Sequence, residues 1–292
     1  MVPPRCSRIA MLAYQHAYHA GNFADVHKHL TLFAVLQYLL RKSSAITYVD
    51  THAGRGLYPL EAEETQRLRE YRQGAAAVWA AREVLADDSL LAAWCERLGD
   101  AQSGASTLSH YPGSPWWLAN DCREQDRLAL FELHPGEATH LEAQVLPPQA
   151  RRQHADGLAG IRALLPPATP RFCALIDPSY ERKQEYTDVA ATLQAVAAKV
   201  RHAIVMIWYP LLPSGRHHDL LTAARRSGLR KLWRSELTLH PPGEATHGMY
   251  GSGMLLLNPP WGIDTQLNAS LTRVASCLGD TASHVSQWWV PE

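Results

Sequence analysis

An α/β fold built on a mostly parallel sheet of about seven strands, with helices on both faces, is predicted by three observations. Short apolar or β-branched runs alternate along the chain with segments of helical texture. Four of those runs are followed at once or within two residues by an acid: Asp50, Glu132, Asp156 and Asp177. At 292 residues, 46% hydrophobic and 19% charged, the chain is long and apolar enough to bury a large core. Acids recurring at strand ends between helices point to one ligand-binding edge, where open α/β sheets hold their ligands.

The chain enters through an aromatic, histidine-rich stretch from Tyr14 through His16, Tyr18 and His19 to Gly21-Asn22. Asn22 is a good N-cap, so a helix is predicted to start there, with Asp25 three residues on. Val26, Leu30, Phe33 and Leu40 recur at helical spacing, which predicts one buried face and leaves Arg41 and Lys42 where the helix dipole favours cations. Asp25, Lys28 and His29 form a polar cluster in the first turns, read either as capping or as a start able to receive an anion. Residues 45–49 form a β-branched strand that runs into Asp50-Thr-His52-Ala-Gly54-Arg-Gly56, where glycines let the backbone approach a ligand. Pro59 occupies the third position of a GxGxxG pattern, which disfavours a nicotinamide oxidoreductase.

From residue 57 to 109 the texture is charged and helical, with no strand-like run. A crossover between parallel strands spends far fewer residues, so 57–110 is read as an inserted helical subdomain, with 1–56 and 111–292 forming the core. Tyr111-Pro-Gly-Ser114-Pro115 closes it, Ser114 being expected to cap the next helix. Strands follow at 128–131, 152–154, 172–176, 203–209, 231–239 and 253–257, separated in part by helices at 188–200 and 217–227. Glu132 ends the second strand, the place where nucleotide-binding folds hold ribose hydroxyls.

Asp177-Pro178-Ser179-Tyr180 is the candidate active site. An acid, a rigid turn and an aromatic face at one point suit a flat base with an exocyclic amine, whose hydrogens Asp177 and the Pro178 carbonyl can accept while Tyr180 stacks. The same residues also make an ordinary strand-ending turn.

Composition excludes several classes. The longest apolar run, 203–212, is too short and interrupted to span a bilayer, and the N-terminus lacks an apolar stretch of signal-peptide length, so a cytoplasmic protein is expected. Cys6, Cys95, Cys122, Cys173 and Cys277 are scattered and read as reduced thiols. Fifteen histidines include a heptad at 134–140 echoed at 240–248, yet neither copy has a helical HExxH or a cysteine partner, so no metal is expected. A net charge of zero and a pI near 7.3 argue against wholesale coating of nucleic acid. Arg225, Arg226, Arg230, Lys231 and Arg234 offer a local basic patch or a solvated helix face.

The strand-end acids and Asp177-Pro178-Ser179-Tyr180 together resemble Rossmann-like class I methyltransferases of the adenine-N6 type, dependent on S-adenosylmethionine (SAM). Their motif is an Asp, Asn or Ser, two prolines and an aromatic residue. More closely, YQHAYHAGNFADVHKH, DTHAGRG, YPGSP, FELHP, ADG, LIDPSYE, WYP, GSGMLLLNPPW and WWVPE resemble, in one order from about Met11 to Glu292, the RlmJ family of 23S ribosomal RNA adenine-N6 methyltransferases. The resemblance implies SAM as cofactor, 23S rRNA as partner, neither metal nor membrane, and a monomer. It places His29, His52, Ser114, Glu132, Asp156 and Gly157 at the cofactor and Asp177, Pro178 and Tyr180 at the chemistry, with Tyr14 and Lys28 toward the RNA. A DNA adenine-N6 methyltransferase would share the site, and a non-catalytic SAM- or RNA-binding homologue is the other alternative, because Ser179 replaces the second proline. Loss of that proline relaxes the extended bias on Pro178. Asn258-Pro259-Pro260-Trp261 matches the motif fully, but only about thirty residues follow it, too few for the strands such a sheet needs after its catalytic corner. The first ten residues lie outside the resemblance and leave Met1 and Met11 both open as the start.

Overall fold

The computed structural model describes residues 14–102, 104, 107–243 and 248–292. Cys6, the alternative starts Met1 and Met11, and residues 244–247 of the second histidine segment lie outside them. The first half of the chain runs α1 (Phe23–Leu39), β1 (Ile46–Asp50), β2 (Leu57–Pro59), α2 (Glu63–Leu68), α3 (Ala75–Ala80), α4 (Ser89–Asp100), β3 (His110–Pro112), α5 (Ser114–Asn120) and β4 (Arg127–Glu132). It continues as α6 (Pro135–Glu142), β5 (Ala150–His154), α7 (Gly157–Ala163), β6 (Arg171–Ile176), α8 (Glu185–Lys199) and β7 (Ile204–Leu211). It closes with α9 (His217–Arg226), β8 (Leu232–Thr238), β9 (Gly251–Leu257), α10 (Ile263–Leu278) and β10 (Ser283–Val290).

Alternation along the strands gives the sheet two faces, each with its own core. Cys173, Leu175, Met206 and Leu256 meet α1, α4, α5 and α10 on one side, while Phe172, Ala174, Ile176 and Ile207 meet α7, α8 and α9 on the other. Burial on both faces explains why the central strands read as continuous apolar runs. The strand order is β10-β8-β9-β7-β6-β1-β4-β5. Pairing is parallel from β5 to β7 and antiparallel from β7 through β9 and β8 to β10. The chain runs β1, β4, β5 toward one edge and then returns to lay β6 on the other side of β1. The connections therefore diverge beside β1, which opens a crevice at the carboxyl ends of β1 and β6.

Four expectations are corrected. The sheet has eight strands rather than seven, because Ser283–Val290 adds an antiparallel edge strand beside β8. The stretch from residue 57 is not free of strand: Leu57–Pro59 pairs with His110–Pro112, tying the two ends of the helical segment together. That segment packs on α1 and α10 through α3 and α4, and its Val78, Leu91 and Trp94 belong to the same core as α1. Third, α1 buries nearly its whole circumference instead of one stripe, since the sheet, α10 and the helical segment enclose it. Fourth, Ser114 begins α5 but makes no cap hydrogen bond, and Gly113 holds the N-cap position. Asn22 does cap α1, its side chain accepting from Asp25 N.

The basic cluster fastens the C-terminus. Arg225 and Arg234 lie over the Trp289 ring, 3.7 and 4.6 Å from its centre. Arg230 donates to the Glu292 carbonyl and Lys231 pairs with the Glu292 carboxylate. Among the described residues no helix is long and apolar enough to cross a membrane.

Candidate active site

A cavity of about 850 Å³ occupies the crevice at the carboxyl edge. The loop after β1 threads into it, because Thr51 N donates to Leu175 O of β6 and Ala53 N to Phe131 O of β4. Glu132 ends β4 with both carboxylate oxygens engaged: one accepts from Gly54 N and the other from His134 N, each at 2.7 Å. Burial pushes its pKa up, and those two N–H groups pull against the rise. Asp156 caps α7 through a single oxygen that accepts from Leu158 N and Ala159 N. Gly157 follows because nothing larger fits; a Cβ there would lie 1.9 Å from Thr51 O. His52, Ser114, Glu132, Asp156 and Gly157 all line the cavity.

His29 comes from α1 on the opposite wall. Its Nδ1 lies 2.8 Å from the Tyr111 hydroxyl, while its buried Nε2 has no hydrogen-bond partner. Burial and the neighbouring Lys28 hold its pKa well below the usual imidazole value, so the ring is neutral. His29 lines the cavity, and with Tyr111 assigned as donor to Nδ1 the neutral ring carries its hydrogen on the unpartnered Nε2. An unpartnered buried donor, a carboxylate with lone pairs to spare and a glycine-only contact fit a polar cofactor with hydroxyl and acidic groups.

Asp177 and Pro178 sit at the tip of β6 and line the same cavity. Lys28 reaches from α1 to both Asp25 and Asp177, at 2.9 and 2.5 Å, with its side chain only 6% exposed. Burial alone would lower the Lys28 pKa, but the two carboxylates outweigh it and hold the ammonium charged. Burial would likewise raise Asp25, yet His16 and Lys28 keep it well below the ordinary carboxylate range. Lys28 also lines the cavity, and its charge is paired within the protein by Asp25 and Asp177. Tyr14 does stand at the cavity, its hydroxyl 2.9 Å from His16 Nδ1 and its ring stacked on His19. Hydrogen bonds from His19 and Asn22 to Glu70 moor this segment to the stretch after α2.

Tyr180 departs from the expected stacking position. Its ring is buried against Tyr186, 4.3 Å between centres, and its hydroxyl donates to Trp208 O. It is not among the cavity-lining residues, so it shapes the turn after Pro178 instead of offering a face.

The sequence did not single out His16 or Trp208, both of which line the cavity. His16 accompanies Tyr14 at the next-but-one position ahead of the cap, a faint signal; its Nε2 is 2.9 Å from Asp25. Trp208 lies in a strand that reads simply as core. Among the described residues no group of three or more His, Cys, Asp or Glu could hold a metal ion.

Asn258-Pro-Pro-Trp261 occupies the other edge. Because β9 is antiparallel to β7, Leu257 pairs with Val205 near the start of that strand. The Asn258 amide donates to Arg201 O and Ala203 O there, and Trp261 is 89% exposed.

Comparison with known proteins agrees with this architecture. A family model described as Ribosomal RNA large subunit methyltransferase D, RlmJ, matches residues 43–291. Two proteins named Ribosomal RNA large subunit methyltransferase J, from Escherichia coli and Haemophilus influenzae, are 35% and 33% identical; each alignment covers 97% of this chain and 100% of the relative. A crystal structure of a Legionella pneumophila protein superposes with a TM-score of 0.85 at 36% identity, covering 92% of this chain and 98% of that one. With matches of this extent, the chain belongs to the RlmJ family.

Proposed function

We propose that this protein methylates N6 of an adenine in 23S rRNA with SAM as donor. One observation carries the reading: the acid and proline of a base-amine motif open into the same cavity as a strand-end carboxylate and a glycine-started helix. The names of the relatives favour ribosomal RNA over DNA as the substrate. Such a protein would work in the cytoplasm.

SAM, when bound, supplies a methyl group on a positively charged sulfur. Glu132 takes ribose hydroxyls with the lone pairs left beyond Gly54 and His134, and Asp156 and Gly157 border the same end. His29, His52 and Ser114 complete the wall, His29 offering a hydrogen to an acidic group. At the chemistry, burial raises the Asp177 pKa and Lys28 opposes that rise while occupying Oδ2, which leaves Oδ1 to accept from the adenine amine. The Pro178 carbonyl accepts the second hydrogen. Together they localise the nitrogen lone pair, and their hold strengthens as positive charge develops on nitrogen. Tyr14 closes the substrate side, and Tyr180 sets the Pro178 turn from behind.

Purified protein should transfer labelled methyl from SAM to unmodified 23S rRNA, with one N6-methyladenine found by mass spectrometry. Equal competition by adenine-containing DNA would move the substrate to DNA. Tight SAM and RNA binding without turnover would make the protein a non-catalytic relative.

A further inference from the structure

The cavity has a polar end and an apolar end, with Asp177 and Pro178 between them. On the β1, β4 and β5 side stand His52, Glu132 and Asp156; on the β7, β8 and β9 side stand Trp208, Pro210, Leu239 and Met249. β6 and β7 are paired in register through Ile176 and Ile207, so Asp177 and Trp208 are the next residues on adjacent strands. Both side chains turn toward the α1 face: Asp177 meets Lys28, and the Trp208 indole N–H meets Ser252, which is bonded in turn to His27.

Behind Trp208 lies a polar chain in the middle of an apolar core. Trp208 Nε1 donates to Ser252 Oγ at 2.9 Å, and Ser252 lies 3.0 Å from His27 Nδ1. His27 Nε2 is 2.9 Å from Ser235 Oγ, which lies 2.8 Å from His284 Nε2. Ser252, His27 and Ser235 are completely buried. An indole N–H can only donate, so Ser252 Oγ accepts from Trp208; each serine hydroxyl then bridges to an imidazole nitrogen, and burial holds both rings neutral. Burying three polar side chains is costly beside an apolar alternative, and the hydrogen bonds that satisfy Ser252, His27 and Ser235 hold them in one geometry. The site-facing end of this network is the Trp208 ring.

We propose that Trp208 is the face on which the target base stacks, and that Ser252, His27, Ser235 and His284 are positioning residues that aim its indole. The proposal rests on the methyl-transfer reading and names the part of the cavity that holds the base. Tyr180, turned away and packed on Tyr186, leaves this place to Trp208.

The test uses the full chain, SAM and unmodified 23S rRNA transcript, with kcat/KM for RNA, SAM affinity and thermal melts measured for each variant. Trp208→Ala should lower kcat/KM by about 10- to 100-fold, the range of one lost base–aromatic stack, with SAM affinity unchanged. Trp208→Phe, which keeps a ring, should retain most activity and covers the case in which the alanine variant folds poorly. Ser252→Ala should lower kcat/KM less than Trp208→Ala, and its effect should vanish in the Trp208→Ala background, since it acts through the indole alone. Wild-type kcat/KM in Trp208→Ala, a parallel loss of SAM affinity, or additive Ser252 and Trp208 effects would overturn the proposal while leaving methyl transfer intact. A wild-type protein that methylates no RNA would overturn the reaction itself, and this assignment with it.

Discussion

Replacing Lys28 with methionine keeps an unbranched side chain of nearly the same length and removes the ammonium between Asp25 and Asp177. The three side chains are 6%, 2% and 12% exposed, so solvent cannot substitute for the lost cation. Breaking a buried pair of this kind costs about 3–5 kcal/mol, because the remaining carboxylates are left desolvated and facing each other. The sign of the pH dependence follows from the shifts. In the native protein Lys28 is raised, so its contribution is full below the ordinary lysine pKa and disappears only at strongly alkaline pH. Asp25 is depressed, so its contribution is present above the ordinary aspartate pKa and is lost as pH falls toward the folded value. Without Lys28, burial pushes Asp177 further up while His16 still opposes the rise at Asp25, and the variant loses stability as pH rises. The deficit should therefore be largest near pH 8 and shrink toward pH 5. Urea unfolding at a series of pH values measures it directly. A deficit below about 1 kcal/mol, or one of constant size from pH 5 to 8, would refute the claim that Lys28 neutralises a buried acid pair.

Three further outcomes are expected. Glu132→Ala should weaken SAM binding by about 1–3 kcal/mol, and calorimetry showing unchanged affinity in a folded variant would remove Glu132 from the cofactor site. Asp177→Ala should abolish most single-turnover methylation while SAM still binds; Asn258→Ala, at the opposite edge, should leave methylation alone and cost about 1–2 kcal/mol for its two carbonyl contacts, and the reverse pattern in paired assays would make the second motif the active one. Asp50, fully buried, has its pKa raised to about 7 mainly by burial, with the Ser114 hydroxyl and His52 N–H opposing. Its contribution is full below the ordinary aspartate pKa and is lost as pH climbs through about 7, at up to roughly 1.4 kcal/mol per pH unit. Asp50→Asn should gain stability relative to wild type between pH 5 and 8, and parallel melting curves would count against that origin.

The carboxyl edge was legible because its signals are local. An apolar run followed by Glu132 or Asp177 reveals both the strand and the end at which the acid lies, and Asn22 before Asp25 announces the start of α1. What failed to show were features decided by distant partners. Ser283–Val290 reads Ser-His-Val-Ser-Gln-Trp-Trp-Val, with no strict alternation of polar and apolar residues, and pairing with β8 makes it a strand. Pro59 and Pro112 disguise a three-residue ribbon whose halves are separated by the whole helical segment. Lys28 reads as one member of a polar cluster in the first turns of α1 until Asp177, 149 residues later, is folded against it. Tyr180 reads as a stacking face until Tyr186 covers it. Periodicity also understated α1, because a helix enclosed on every side has no polar stripe to betray its orientation.

His27 also bears on the order of folding during synthesis. Its two hydroxyl partners lie 208 and 225 residues further along the chain. At about 5–20 residues per second, a ribosome needs roughly 10–40 s to deliver them after α1 has emerged. Throughout that interval a helix whose circumference is almost wholly buried in the finished protein lacks the strands that cover it. Closing so long a loop makes docking of α1 a late event. Amide hydrogen exchange pulsed during refolding should find β1, β4 and β6 protected before α1, and a chain truncated ahead of β9 should leave α1 exchanging freely.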